Sequence, residues 1–508
     1  MLINRAPTRP LLPGGGVPWE VRVGARFTST TRSARRDSCP YFLENRRIMP
    51  KKRLTYAFYM LLISMLLSIL SACANNISLG QPQPQNGPIQ FYDIHNQLIC
   101  QLHGQNPQLD CLQHKDLSSA YFVDTAVSEL ASALHVDVDH LPATALHVAT
   151  TLDLSLEQQT YQKARQYLAT MSATHNMHNA SVVVLDPHSG GIRALLGNMD
   201  TSYGGSQANL TTQPFMAGST FKPFIYATAF EQGISPGEVV YDGPFSVATG
   251  NSNAGTYSPS NYGQKFHGYM SYRTALQTEL NIPPLKLSVK LGLQTVRKKV
   301  QALGIKIVGE PYYSWAVGAV SLNLLDETSA YATMANKGIH MDPHAIVKAT
   351  SSDGHVLYQD STQGTRALSP EAAFMITDAL SGTASQATEF GICNPLELYS
   401  TSHTQCQAGN AGPVRPAAVM AGLSETFQDT STIGYTPDLV VGAWTGNSNH
   451  SLMAGITGLD GAAQIWHDTM LLAEGNTPMK AFPAPPADVV KKTVSYPKLT
   501  TTDWYQTH

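Results

Sequence analysis

The chain has 508 residues, 43% of them hydrophobic and only 14% charged, with a formal net charge of −3; this excludes a disordered tail and leaves room for two or three domains, one with a sizeable core. Gly and Pro number 39 and 31, a loop-rich composition that suits an extracellular protein better than a highly charged cytosolic one. Downstream of Cys73 there are 21 basic and 33 acidic residues, a balance that argues against nucleic acid as a partner.

Residues 1–48 hold nine Arg, no Lys and three acidic residues and read as an upstream extension or a mis-assigned translation start. From Met49 the order is Lys51-Lys52-Arg53, an apolar run from Leu54 to Leu70, then Leu70-Ser71-Ala72-Cys73. That is a basic region, an apolar core and a small-residue cleavage site, the layout of a secretion signal over 49–73. An uncleaved transmembrane helix is the alternative, since the run lies at the short end of what spans a bilayer. Residues 74–88 have no apolar periodicity and read as a tether.

A small linker domain is expected over 89–175: a hairpin from Ile89 to Leu102, a helix from Phe122 to Leu134, a strand from Leu146 to Leu152 and a helix from Ser155. A larger domain, 176–488, opens with strands Ser181–Leu185 and Ile192–Leu196 joined through Asp186-Pro187-His188-Ser189-Gly190-Gly191. Helices fit Thr220–Gln232, Tyr272–Leu280, Leu293–Leu303, Asp326–Asn336 and Pro370–Leu380, and a late strand fits Leu439–Trp444. Strands at both ends with helices between them imply one sheet completed by the returning chain. Residues 489–508 read as a C-terminal tail.

Four cysteines follow Cys73. Export would place Cys100, Cys111, Cys393 and Cys406 in an oxidising compartment, and their spacing suggests disulfides Cys100–Cys111 and Cys393–Cys406. Neither pair has the two-residue gap of a zinc knuckle, and no metal or cofactor is expected.

The sharpest local signal is Gly218-Ser219-Thr220-Phe221-Lys222-Pro223-Phe224. If Ser219 begins a helix, Lys222 lies one turn on along the same face, and Pro223 fits only a first helical turn. A serine needs an adjacent base to attack a carbonyl, and a lysine serves when burial lowers its pKa.

At these residues the chain resembles the transpeptidase domain of bifunctional (class A) penicillin-binding proteins. Also similar are Ala180–Leu196, Tyr257-Ser258-Pro259-Ser260-Asn261-Tyr262, Asn281-Ile282-Pro283, Ser329-Ala330-Tyr331-Ala332-Thr333 and Gly434-Tyr435-Thr436-Pro437-Asp438-Leu439, over roughly residues 118–488. On this resemblance, no counterpart of the family's glycosyltransferase domain is expected between Leu102 and Tyr121. The resemblance implies an α/β (α+β) fold of the serine β-lactamase and penicillin-binding type, a mostly antiparallel sheet flanked by helices. It implies acyl transfer from a peptidoglycan stem peptide through Ser219, acylation of the same serine by β-lactams, and a separate glycosyltransferase as a possible partner. Cys73 resembles the lipidated cysteine of a bacterial lipobox, which would anchor the protein on the extracytoplasmic face of the cell membrane.

The family also uses a Ser-x-Asn triplet and a Lys-Thr/Ser-Gly triplet that binds the substrate carboxylate. Here the first reads Glu279-Leu280-Asn281 and the second Leu423-Ser424-Glu425, followed by Thr426. The catalytic set implied is Ser219, Lys222 and Asn281, with Ser424, Thr426 and Glu279 at the substrate. Glu279 could pair with Lys222 and make it a worse base, or act as a base itself. Plainer readings make Asn281 a helix terminator, Ser424 and Thr426 strand residues and Glu425 a solvated edge charge. Two other functions stay open: a non-catalytic cell-wall or β-lactam binding protein, and a serine β-lactamase or β-lactam sensor.

Overall fold

The computed structural model describes residues 87–103, 108–111, 118–142, 144–200, 207–249 and 255–507. The secretion signal, Cys73 and most of the tether lie outside them. Among the described residues, no helix is long and apolar enough to cross a membrane.

The chain opens with β1 (Ile89–Tyr92), β2 (Leu98–His103) and β3 (Gln108–Cys111), then α1 (Ala120–Ala133), β4 (Leu146–Thr150) and α2 (Leu154–His175). Asp153 starts α2 by accepting a hydrogen bond from Leu156 N at 3.0 Å, and Asn176 ends it at φ +48°. Next come β5 (Asn179–Leu185), β6 (Ile192–Leu196), α3 (Lys222–Glu231), α4 (Tyr272–Gln277), α5 (Ile282–Leu291), α6 (Leu293–Ala302) and α7 (Leu324–Ala335). The later part adds β7 (Ile346–Ser351), β8 (Val356–Gln359), α8 (Pro370–Leu380), α9 (Thr383–Phe390), β9 (Ala418–Leu423), β10 (Asp429–Tyr435), β11 (Val440–Gly446) and α10 (Gln464–Glu474). It closes with β12 (Val489–Ser495) and β13 (Thr500–Gln506).

The central sheet has the order β9-β10-β11-β5-β6, every neighbour antiparallel. Its middle strands are buried on both faces: β5 and β11 carry mostly small and apolar residues without alternation, and β10 is buried with Thr and Ser along it. Val182 and Val184 join Tyr161, Leu168 and Trp466 of α2 and α10 on one side. Val183 and Leu185 join Phe224 and Tyr331 of α3 and α7 on the other. This is a sheet between helix layers, the α/β arrangement expected.

Three expectations need correction. The strands of the linker do not close on themselves: the second sheet runs β8-β7-β4-β1-β2-β3, so residues 346–359 of the larger segment complete it. Helix α2, read as linker, packs in the core of the central sheet. Residues 489–506 are no tail but a β-hairpin, and its polar, exposed strands explain why no apolar pattern announced it.

The hairpin is anchored to α4 through Asp503. Arg273 in α4 donates to Asp503 Oδ2 through Nε at 2.8 Å and to Asp378 O at 2.9 Å, and its Nη2 lies 2.6 Å from Asp503 Oδ1. Asp503 is buried, so losing the cation leaves a desolvated carboxylate. Arg273→Met is expected to cost about 2 kcal/mol or more in urea unfolding, allowing for partial exposure of the pair, and to raise amide exchange in β12 and β13. Unchanged exchange there would contradict this anchoring role.

Cys393 and Cys406 form a disulfide with Cα atoms 5.8 Å apart. Cys100 is disulfide-bonded, and the residue facing it across the β2–β3 register is Cys111.

Candidate active site

Ser219 sits in a single 3₁₀ turn, Gly218–Phe221, that runs directly into α3 at Lys222, with Pro223 in its first turn. The turn is fixed from several sides. Gly218 N donates to Gly318 O at 3.0 Å and Ala217 N to Val320 O at 3.1 Å. Thr220 Oγ1 donates to Ala217 O at 2.8 Å, Ser431 Oγ of β10 to the same oxygen at 3.1 Å, and Tyr331 OH of α7 to Thr220 O at 2.7 Å. Gly218 has φ +63° and lies against the Leu423 backbone of edge strand β9, so a side chain there would be both strained and obstructed.

Lys222 is fully buried behind the serine and its Nζ donates to the backbone oxygen of Glu279. Burial holds its pKa down at about 8, while the Glu279 carboxylate pulls it up. Burial in turn raises Glu279 to about 7, opposed by Lys222 and the Ala421 N–H, with Glu389 pushing further up. The carboxylate therefore sits where the lysine feels it, and burial moves the pKa values of the two groups toward each other.

Glu279 has φ +54°. Together with the bonds Glu279 N to Leu276 O and Leu280 N to Ala275 O, that left-handed step ends α4 at Gln277 rather than at Leu280 as expected. Asn281 does not terminate a helix; it precedes α5, whose first turn holds Pro283. Its side-chain amide donates to Ser260 O at 2.7 Å, and Asn261 Oδ1 accepts its backbone N–H at 2.8 Å. The sequence missed α5 because Ile282-Pro283-Pro284 reads as a break, although proline is at home in a first turn.

A cavity of about 450 Å³ opens on Ser219 and is bordered by Glu279, Asn281, Leu423, Ser424, Glu425 and Glu389, among others. Among the described residues the Ser219 hydroxyl makes no hydrogen bond. A somewhat smaller cavity of about 340 Å³ lies away from the serine, between α8 and the Pro483–Pro486 segment.

Of the pair expected at the substrate, Ser424 lines the cavity. β9 ends at Leu423, and the Ser424 hydroxyl oxygen accepts from Gln428 N at 3.1 Å and Asp429 N at 3.0 Å while donating to none of the described residues. Thr426 bonds to Ser424 at 3.3 Å and is not among the cavity-lining residues. Glu425 is exposed but faces the cavity rather than bulk solvent alone. Sequence reasoning missed Glu389, Phe390 and His267, which also line it; none belongs to a motif. Among the described residues there is no cluster of three or more His, Cys, Asp or Glu able to hold a metal.

Beneath the serine turn, Glu327 of α7 is fully buried with no hydrogen-bond partner for either carboxylate oxygen among the described residues. Burial raises its pKa to about 8, with the Thr220 hydroxyl acting in the opposite direction. A raised carboxyl contributes stability below its unfolded pKa and loses it as pH rises through the folded one. Glu327→Gln is therefore expected to lose less thermal stability than the wild type between pH 5 and roughly 8.5. Parallel Tm curves for the two proteins would contradict a neutral Glu327.

Residues 180–392 match the penicillin binding protein transpeptidase domain. Penicillin-binding protein 2D of Bacillus subtilis (strain 168) is 30% identical over 379 residues, covering 72% of this chain and 50% of the relative. Penicillin-binding protein 1A of Rickettsia typhi is 28% identical, covering 60% and 40%. The chain thus spans about half or less of the length of these relatives. The structure of the PonA1 protein from Mycobacterium tuberculosis in complex with penicillin V superposes with a TM-score of 0.60 at 25% identity, covering 73% of this chain and 96% of that one. Penicillin-binding protein 1A from Haemophilus influenzae gives 0.63 at 17% identity, covering 76% of each chain, a likeness of fold.

The fold and the serine–lysine turn are those of a transpeptidase-type domain. Residues 180–392 carry a penicillin-binding protein transpeptidase domain, and the chain around them is similar to penicillin-binding proteins 2D and 1A.

Proposed function

We propose that this protein is an exported penicillin-binding, transpeptidase-like protein that forms an acyl-enzyme at Ser219, with impaired recognition of carboxylate-terminated ligands. The observation that carries this reading is Ser219, unbonded and open to the cavity, one helical step before a buried lysine whose pKa is held near 8. In the step envisaged, neutral Lys222 takes the hydroxyl proton, Oγ bonds to the carbonyl carbon, and the C–N bond breaks with the proton passing to the departing nitrogen. The donors are peptidoglycan stem peptides and β-lactams. A separate glycosyltransferase would supply the glycan.

The signal at 49–73, lipidation of Cys73 and a position at the membrane's outer face belong to the same proposal, carried by the sequence alone. Mass spectrometry of the membrane-bound protein should find the mature chain starting at Cys73; an intact 49–73 segment would sink the lipoprotein reading.

A non-catalytic, ligand-binding role is favoured by one particular: the Asn281 amide already donates to Ser260 O at 2.7 Å. A fluorescent penicillin separates the readings. Slow covalent labelling, absent in Ser219→Ala, supports the acyl-enzyme; reversible binding without a covalent band supports the second.

A further inference from the structure

The wall of the cavity at Ser219 carries three carboxylates, Glu279, Glu389 and Glu425, and neither Lys nor Arg among its lining residues. The charge of Glu279 is answered by Lys222 behind it. Glu389 and Glu425 are not answered: among the described residues neither makes a hydrogen bond or an ion pair. The one lining imidazole, His267, has its own counterion, with Nδ1 3.3 Å from the fully buried Asp242.

A second observation is independent of charge. Three aromatic rings, Tyr262, Phe390 and Phe427, line the same cavity, and Tyr262 is 79% exposed while Phe427 is 43% exposed. Each ring stands one to three residues from a lining polar group: Phe390 follows Glu389 at the end of α9, Phe427 follows Glu425 in the turn after β9, and Tyr262 follows Asn261. Exposed ring faces beside carboxylates form a surface that attracts a weakly hydrated cation through both the ring quadrupole and the anionic charge. An anionic group in the same space meets repulsion with nothing to offset it.

We infer, resting on the reading of Ser219 as the acylated residue, that this cleft selects a ligand bearing a cationic group, of the substituted-ammonium class, beside its reactive carbonyl. Glu389 and Glu425 set that preference, and Tyr262, Phe390 and Phe427 provide its apolar contact surface. The preference is electrostatic and partly exposed, so it falls with added salt.

The test uses three thioesters of N-acetylglycine whose leaving thiols carry a trimethylammonium group (thiocholine), a neutral isostere (3,3-dimethylbutanethiol) or a carboxylate (3-mercaptopropionate). In each, the Ser219 Oγ–carbonyl bond forms, the C–S bond breaks, and the thiol departs with the hydroxyl proton. Ser219 ester formation is read by mass spectrometry, each rate being divided by that of the same thioester with hydroxide. The expected order is cationic, neutral, anionic, with the extremes on the order of tenfold apart. Glu389→Gln with Glu425→Gln, or high salt, should collapse the spread. An anionic thioester as fast as the cationic one, or a spread unchanged in the double variant, overturns the inference.

If no thioester acylates Ser219, it is the proposed function that fails, and selectivity is then read by calorimetry on two inert amides. The 2-(trimethylammonio)ethylamide of N-acetylglycine should bind more tightly than N-acetylglycyl-β-alanine. Equal or reversed affinity overturns the inference in that case too.

Discussion

Acylation of Ser219 by a penicillin should accelerate roughly 100-fold when Leu423→Lys is combined with Glu425→Gly, the rate equivalent of about 3 kcal/mol. A penicillin presents a carboxylate near its reactive carbonyl. In the wild-type cleft that group meets Leu423 at the end of β9 and then Glu425, both on the cavity wall. The double change supplies a cation and removes a repulsion, and both act on the same ligand charge. Glu279→Ser should accelerate labelling by less, since Glu279 bears on Lys222 rather than on the space beyond β9. Stopped-time labelling of the three proteins with a fluorescent penicillin gives the ranking; equal rates for the wild type and the double variant would mean that the ligand carboxylate does not reach β9.

Loss of Lys222 should be as severe as loss of the serine's base ordinarily is, about 10² to 10⁴ in acylation rate for Lys222→Met. The amine is useful only when neutral, and with its pKa held at about 8 the wild-type rate should rise with pH, close to tenfold per unit, and level off above pH 8. The sign for a neighbour follows directly. The Glu279 carboxylate stabilises the charged amine, so Glu279→Gln lowers the lysine's pKa and moves the plateau to lower pH. A pH profile for Glu279→Gln that shifts upward, or loses its rising limb, would instead make Glu279 the base.

Much of the nucleophile's surroundings was legible because its logic is local. Ser219, Lys222 and Pro223 sit at spacings that only a helix start satisfies, and the turn forms there. Strands β5, β6 and β11 were legible as apolar runs bounded by turn residues. Where the reading failed, a non-local fact had decided the outcome. Nothing in Ile346–Gln359 says that it pairs with β4 nearly two hundred residues upstream. Ser424 lines the cavity, but nothing local says that the strand ends one residue earlier or that its oxygen also accepts from the Gln428 and Asp429 N–H groups. Glu389 has no motif at all; it faces the serine because α9 ends beside it, and the matched family region stops at 392, before Leu423–Thr426.

Glu279 bears on Lys222, while Leu423 and Glu425 border the cavity, and none of the three takes part through its side chain in the hydrogen bonds from Gly218, Thr220, Ser431 and Tyr331 that hold the nucleophile.

The most direct measurement is peptide mapping by mass spectrometry after prolonged exposure of the purified protein to excess penicillin. The account predicts a single penicilloyl adduct on the peptide containing Ser219, none on Ser219→Ala, and faster accumulation at pH 8.5 than at pH 6.5. A wild-type protein that stays unmodified at Ser219 throughout, while remaining folded, would contradict it.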